Sequence, residues 1–259
     1  MTNYKITIAY DGGRYHGWQS QRHTDQTIEQ KITELLCRFT GEEISLNGSG
    51  RTDAGVHAKG QVANFKTTKD WQEEALLEAF FAYLPQDIAV LSVEKVPEKF
   101  HARLSAVSKR YRYVIYNSPV IDVFERNYAW QVKDPLDITS MKRAASILCG
   151  EWDYKSFCAN RRMKKSTVRT VYDIAITDET VPFGEKLTIE YTGNGFLYNM
   201  VRILTGTLVE VGKGQRIPED MKMILEGKNR SLAGMTAPPM GLFLWDVQYD
   251  DAMIRHKKK

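Results

Sequence analysis

The sequence predicts an α+β fold of two subdomains with largely antiparallel sheets, and three observations lead there. Short runs of alternating apolar residues recur along the chain, runs with apolar residues three and four apart lie between them, and the two halves hold four and five of the first kind and two major examples each of the second. At 259 residues the chain is long enough for two domains of roughly 100 to 150 residues, each with its own core. The expected division is 1–105 and 106–259.

The first strand, Lys5 to Tyr10, puts Ile6, Ile8 and Tyr10 on one side and runs into Asp11-Gly12-Gly13, a turn signal. Thr27 with Gln30 has the capping-box pattern, and Ile28, Ile32, Leu35, Leu36 and Phe39 continue it as an amphipathic helix until Gly41. Asp70 with Glu73 opens a second helix carrying Trp71, Ala75, Ala79, Phe80 and Tyr83, which Pro85 ends. Ile44 to Leu46, Gln61 to Lys66 and Ile88 to Val96 are strands, the first two joined by a polar loop over Asn47 to Lys59. In the second half, strands are expected at Arg110 to Tyr116, Tyr128 to Val132, Thr170 to Ile176, Lys186 to Tyr191 and Leu242 to Tyr249. Helices are expected from Ile138 to Cys149, closed by Gly150, along Met200, Ile203, Leu204, Thr207, Leu208 and Val211, and after Pro218.

Hydrophobic side chains make up 42% and charged ones 26%, a globular composition that excludes disorder for most of the length. No apolar run approaches the roughly 18 to 20 residues of a spanning helix, and the start enters a strand pattern directly, so a cytoplasmic, non-membrane protein is expected. Cys37, Cys149 and Cys158 are odd in number and lack CxxC spacing, and His16, His57 and His101 are scattered. Neither a metal site nor a disulfide framework is expected. The net charge of +4 points toward a polyanionic partner.

The most unusual passage is Asn47 to Ala58. Three glycines in Gly48 to Gly55 allow close backbone approach, and Arg51 and Asp53 put opposite charges two residues apart. A dinucleotide fingerprint would need Gly at Asp53, a P-loop needs a Gly-Lys-Ser/Thr ending, and a nucleophile elbow needs another frame around Ser49. What remains is a carboxylate in a glycine-rich loop beside a guanidinium that favours its ionised form, suited to act as nucleophile or base. Turn residues of the same types also occur in ordinary loops.

Gly50-Arg51-Thr52-Asp53-Ala54-Gly55-Val56-His57 resembles the active-site loop of the TruA family of tRNA pseudouridine synthases. Further matches follow in order: Tyr10-Asp11-Gly12, Gly17-Trp18-Gln19, Leu84 to Val90, Phe100 to Arg103, Lys109 to Asn117, Phe196 to Arg202, and Thr236 to Pro239 with Gly241-Leu242. The resemblance implies two α/β-sandwich subdomains flanking a central positively charged active-site cleft, a homodimer, no cofactor or metal, and isomerisation of uridine to pseudouridine at positions 38, 39 and 40 of the tRNA anticodon stem-loop. It assigns Asp53 as the catalytic nucleophile; a carboxylate there can attack C1′ or remove a sugar proton. It matches Tyr111 to the family's active-site tyrosine, which stacks on the target uracil, and Arg202 to the salt-bridge partner of Asp53. Arg51 is then available to the RNA, entering the space left by a flipped nucleotide.

Charge adds a set of phosphate-contact candidates: Lys109, Arg110, Arg112, Arg161, Arg162, Lys164, Lys165, Arg169 and the terminal lysines. His57 is expected to brace the loop. Two other readings of the residues stay open at this level. A non-enzymatic RNA-binding module would leave the Asp53 loop without a task and lacks the aromatic RNP1 pattern. A small-molecule enzyme of the glycoside-hydrolase kind would need a second carboxylate at a fixed distance.

Overall fold

The computed structural model describes residues 1–160 and 163–254. The expected phosphate contacts Arg161 and Arg162 and the tail from Arg255 lie outside the described residues. The protein mixes α and β structure with mostly antiparallel strands, and the chain divides into two compact units, Met1–Lys109 with Phe243–Lys259, and Arg110–Leu242. The expected boundary kept the last strand with the second half; here it returns to the first.

The first unit is built from β1 (Thr2–Tyr10), α1 (Ile28–Thr40), β2 (Asn47–Gly48), β3 (His57–Thr67), α2 (Glu73–Tyr83) and β4 (Ile88–Val96). β1 runs antiparallel to both β3 and β4, with Ile6 opposite Ala63 on one side and Val93 on the other. Tyr4, Ile6 and Ile8 on one face of this central strand are fully buried, and Asn3 and Lys5 on the other face nearly so. α2 lies against β4 and touches α1, so Ile28, Ile32, Leu36, Leu76 and Phe80 close the core.

The second unit holds most of β5 (Ala106–Asn117), then β6 (Trp130–Val132), α3 (Ile138–Ile147), β7 (Gly150–Asp153), β8 (Val168–Val181), β9 (Gly184–Gly193), α4 (Met200–Gly212) and α5 (Asp220–Gly227). Its strands run in the order β5-β9-β8-β7, with β6 parallel to β5. β8 and β9 form a long antiparallel hairpin, Ile176 opposite Ile189. α4 packs on α3 and is buried almost all round; Tyr191 on β9 shares a buried hydrogen bond of 2.8 Å with Thr205 on α4. β10 (Leu242–Tyr249) then runs parallel to β3 in the first unit, pairing Phe243 with His57 and Leu244 with Ala58. Among the described residues no helix is long and apolar enough to cross a membrane.

Several elements differ from expectation for identifiable reasons. Ile44 and Leu46 are buried but lie in irregular chain, and only Asn47–Gly48 pairs with β3. Asp70 does not cap α2, which starts after Gln72; its carboxylate pairs with Lys95 at 2.8 Å and accepts from Tyr4. Trp71 therefore precedes the helix and packs on Phe39 at 4.9 Å. Thr27 does cap α1 by accepting the Gln30 N–H, but the Gln30 side chain turns to Glu34 instead of completing the box. α3 stops at Ile147, and Gly150 opens β7, a strand the pattern did not announce.

Candidate active site

The loop between β2 and β3 carries Arg51 and Asp53, and little of its geometry comes from regular structure. It is fixed from outside. Lys109 Nζ donates to the Ser49 carbonyl at 2.5 Å, the Gln61 amide to the Gly50 carbonyl at 2.9 Å, and the Trp18 N–H to the Thr52 carbonyl at 3.0 Å. The Ser49 hydroxyl donates to the other end of the Gln61 side chain at 2.7 Å. The Thr52 hydroxyl meets the Tyr10 hydroxyl at 2.8 Å, and burial pushes that phenol well above its ordinary pKa, so it stays protonated. Asp53 itself is half-buried, and its carbonyl accepts the Val56 N–H at 3.1 Å, closing a tight turn.

Against this loop lies the segment after β1. Gly55 N–H donates to the Tyr15 carbonyl at 3.3 Å, and the approach is so close that a methyl group on Gly12 would overlap the backbone carbonyl of Val56. His57, at the start of β3, is fully buried and stacked on Phe243 at 4.8 Å. Its Nδ1 accepts the Gly12 N–H at 3.1 Å, with Asp11 Oδ1 3.0 Å from the same nitrogen, so it braces the two segments as expected. Asp87, just before β4, holds the far end: Tyr15 donates to it at 2.7 Å and Arg14 Nε at 2.9 Å.

Arg51 is tied to a residue outside the loop. It is exposed, and its Nε donates to Gln19 Oε1 at 2.8 Å. Gln19 in turn reaches Glu29 on the first turn of α1.

In the second unit Tyr111 sits on β5, buried, with its ring edge-to-face on Phe196 at 5.2 Å and 82°. Two residues on, Tyr113 donates to the Pro238 carbonyl at 2.8 Å, and burial raises its pKa well above the usual value, partly offset by the charge of Arg202. Arg202 is on the first turn of α4. Its Nε donates to the Ala237 carbonyl at 2.7 Å and Nη1 to Asn199 Oδ1 at 2.9 Å, while its own carbonyl accepts the Ala237 N–H at 3.0 Å. One turn further, Gly206 lets the same segment lie flat on the helix; a methyl group there would overlap the Met235 carbonyl. The side of the helix that carries Arg202 and Gly206 is therefore covered by the segment from Met235 to Ala237.

Arg51 and Asp53 thus share one loop of the first unit, and Tyr111 and Arg202 ride on neighbouring elements of the second. Sequence reasoning assigned no supporting role to Tyr10, Gln19 and Gln61 for the loop or to Asn199 and Ala237 for Arg202, although all but Gln61 lie in the matched motifs. Three of the expected phosphate contacts have partners within the protein. Lys109 holds Ser49, Arg112 is paired with Glu190 at 2.7 Å, and Arg169 donates to the carbonyls of Ser166 and Val168. Lys164 and Lys165 remain exposed.

An ordered carboxylate loop in a mixed α/β frame is a feature of enzymes, and the comparisons with known proteins say which kind. The sequence model of a family described as tRNA pseudouridine synthase matches residues 6–104 and 144–250. Proteins named tRNA pseudouridine synthase A from Listeria monocytogenes serotype 4b (strain CLIP80459) and Thermoanaerobacter sp. (strain X514) are each 45% identical, over 252 and 249 residues. One from Brevibacillus brevis (strain 47 / JCM 6285 / NBRC 100599) is 44% identical over 250. Each alignment covers 96% of this chain and 100% of the relative. Among solved structures, the archaeal box H/ACA sRNP Nop10-Cbf5 complex is similar over 80% of this chain and 44% of the other, with TM-score 0.33 and 13% identity. The chain belongs to the tRNA pseudouridine synthase family, isomerases that act on tRNA.

Proposed function

We propose that this enzyme isomerises uridine to pseudouridine at positions 38, 39 and 40 of the tRNA anticodon stem-loop, with Asp53 as nucleophile and without a cofactor. The observation that carries the proposal is the Asp53 loop: in a chain of this family, a half-buried carboxylate stands on a segment whose flanking carbonyls are each held by a donor from elsewhere in the unit. Such a carboxylate keeps its position without waiting for substrate, which favours a reaction that depends on placement at one carbon.

In this proposal Asp53 acts at C1′ as the bond from C1′ to uracil N1 breaks. The uracil turns, C5 bonds to C1′, C5 loses its proton and the freed N1 takes one up, so the net change is an isomerisation with no electron acceptor. Tyr111 stacks on the target uracil, a role that suits a ring already fixed by Phe196. Arg202 pairs with Asp53 and keeps it ionised, and Arg51 meets the RNA. The wider proposal is a cytoplasmic homodimer with two subdomains, divided as 1–105 and 106–259 but with the last strand returned to the first, around a positively charged cleft.

The test is tritium release from tRNA labelled at uracil C5. The wild type releases tritium, and Asp53→Asn, still binding tRNA, releases it about 10⁴-fold more slowly or not at all. Release by Asp53→Asn at the wild-type rate would remove Asp53 from the chemistry.

A further inference from the structure

Arg51 is an exposed arginine on a loop, a residue that loses much side-chain entropy if it is to hold one position. The structure gives it a tether. Its Nε donates to Gln19 Oε1 at 2.8 Å, and the other end of that amide donates through Nε2 to Glu29 Oε2 at 2.5 Å. Because one end of a glutamine accepts and the other donates, these two partners together allow a single orientation of the amide. Glu29 Oε2 also accepts the Ser20 N–H at 2.6 Å, and the Glu29 N–H donates to the Trp18 carbonyl at 3.0 Å. The tether therefore starts from the first turn of α1, the positive end of the helix dipole, which favours an anion.

A guanidinium offers five N–H donors in a fixed plane. The Gln19 bond uses the one at Nε, and Arg51 forms no other hydrogen bond among the described residues. The pair of terminal amines at the far end of the plane matches two oxygens of one phosphate. Holding the plane at Nε sets the direction of that fork before any ligand arrives.

We propose that Gln19, anchored by Glu29, is a positioning residue that holds the Arg51 guanidinium by its Nε and so presets its terminal fork for a phosphate of the RNA substrate. The inference rests on the proposed role of the Asp53 loop, since Arg51 stands two residues before Asp53.

A double-mutant cycle on kcat/KM for an unmodified tRNA transcript tests it, read by tritium release with the thermal melt of each variant in parallel. Gln19→Met and Arg51→Gln each lower kcat/KM about tenfold, in the range expected for a hydrogen bond to a charged group, and the double variant falls no further than Arg51→Gln alone. Arg51→Lys, which keeps the charge and loses the fork, behaves like Arg51→Gln. If Gln19→Met does not fold, Glu29→Gln takes its place in the cycle and its smaller loss likewise vanishes in the Arg51→Gln background. Losses that multiply in the double variant, or full activity of Arg51→Lys, overturn the proposal. Asp53→Asn separates the two levels: an inactive Asp53→Asn with multiplying losses removes only the tether, whereas an active one removes the catalytic assignment beneath it.

Discussion

In the first unit Asp53 stands on a segment outside any helix or strand, held by polar contacts from Lys109, Gln61, Trp18 and Tyr10 and by the close approach of Gly12. In the second, Tyr111 and Arg202 are mounted on β5 and α4, and their neighbours are an aromatic ring and a backbone run lying on the helix. The polar loop gains accuracy from many weak partners and depends on each staying put. The mounted residues inherit accuracy from elements that the core stabilises anyway. Damage to the first should therefore appear in rate before stability, and damage to the second in stability before rate.

Gly12→Ala is the sharpest test. The added methyl must displace the Val56 carbonyl, and with it the turn that carries Asp53. A misplacement of about 1 Å costs on the order of 10²-fold in rate, so kcat should fall by about that factor while the melting temperature changes by only a few degrees. A normal kcat with a large loss of Tm would invert the comparison.

Gly206→Ala applies the same insult to the mounted side. Ala is a better helix former than Gly by about 1 kcal/mol, but overpacking against the Met235 backbone costs roughly 1–3 kcal/mol or more, and the carbonyl cannot rotate away as a side chain would. We expect a net loss of Tm of a few degrees, measured by calorimetry, with a smaller fall in kcat as Ala237 shifts from Arg202. Tyr113→Phe is milder still. It removes one hydrogen bond to the Pro238 carbonyl, worth about 1 kcal/mol, and should lower Tm by roughly 2–4 °C with kcat close to wild type.

The same contrast explains what could be foreseen from the sequence. α1, with Ile28, Ile32, Leu35 and Leu36, and β9, with Leu187, Ile189 and Tyr191, announce themselves by period, because burial on one face imposes a spacing. Arg51 and Asp53 were legible because their loop has an unusual composition and a family counterpart. Tyr10 and Gln19 fall within matched motifs, but their task of holding Thr52 and Arg51 was not legible: they lie 42 and 32 residues away along the chain, and a single polar contact leaves no periodic mark. Asp70 illustrates the opposite error. Its position before a helical run is a sound capping signal, yet Lys95 and Tyr4 compete for the same carboxylate and hold it instead. Ile44 and Leu46 alternate like a strand and are buried like one, but only Asn47–Gly48 finds a ladder partner in β3.

The smallest expected effect separates placement from stability within one residue. Burial raises the pKa of Glu29, outweighing the lowering by the Ser20 N–H and by the charge of Arg51. A carboxyl whose pKa is higher in the folded state binds more protons there than when unfolded, so its contribution to stability declines as pH rises from its ordinary value near 4.5 through the raised one. At pH 7 the ionised Glu29 is thus a cost to folding. Glu29→Gln keeps the shape and an acceptor oxygen while removing that charge. Its melting temperature should lie above wild type at pH 7, and the difference should disappear below about pH 4, where Glu29 is protonated in both states. Its kcat/KM should nevertheless fall, because Gln19 then loses a charged anchor for Arg51. A variant that melts lower than wild type at pH 7 would mean that the hydrogen bonds of Glu29 outweigh its burial, and that the polar loop is stabilised by the same contacts that place it.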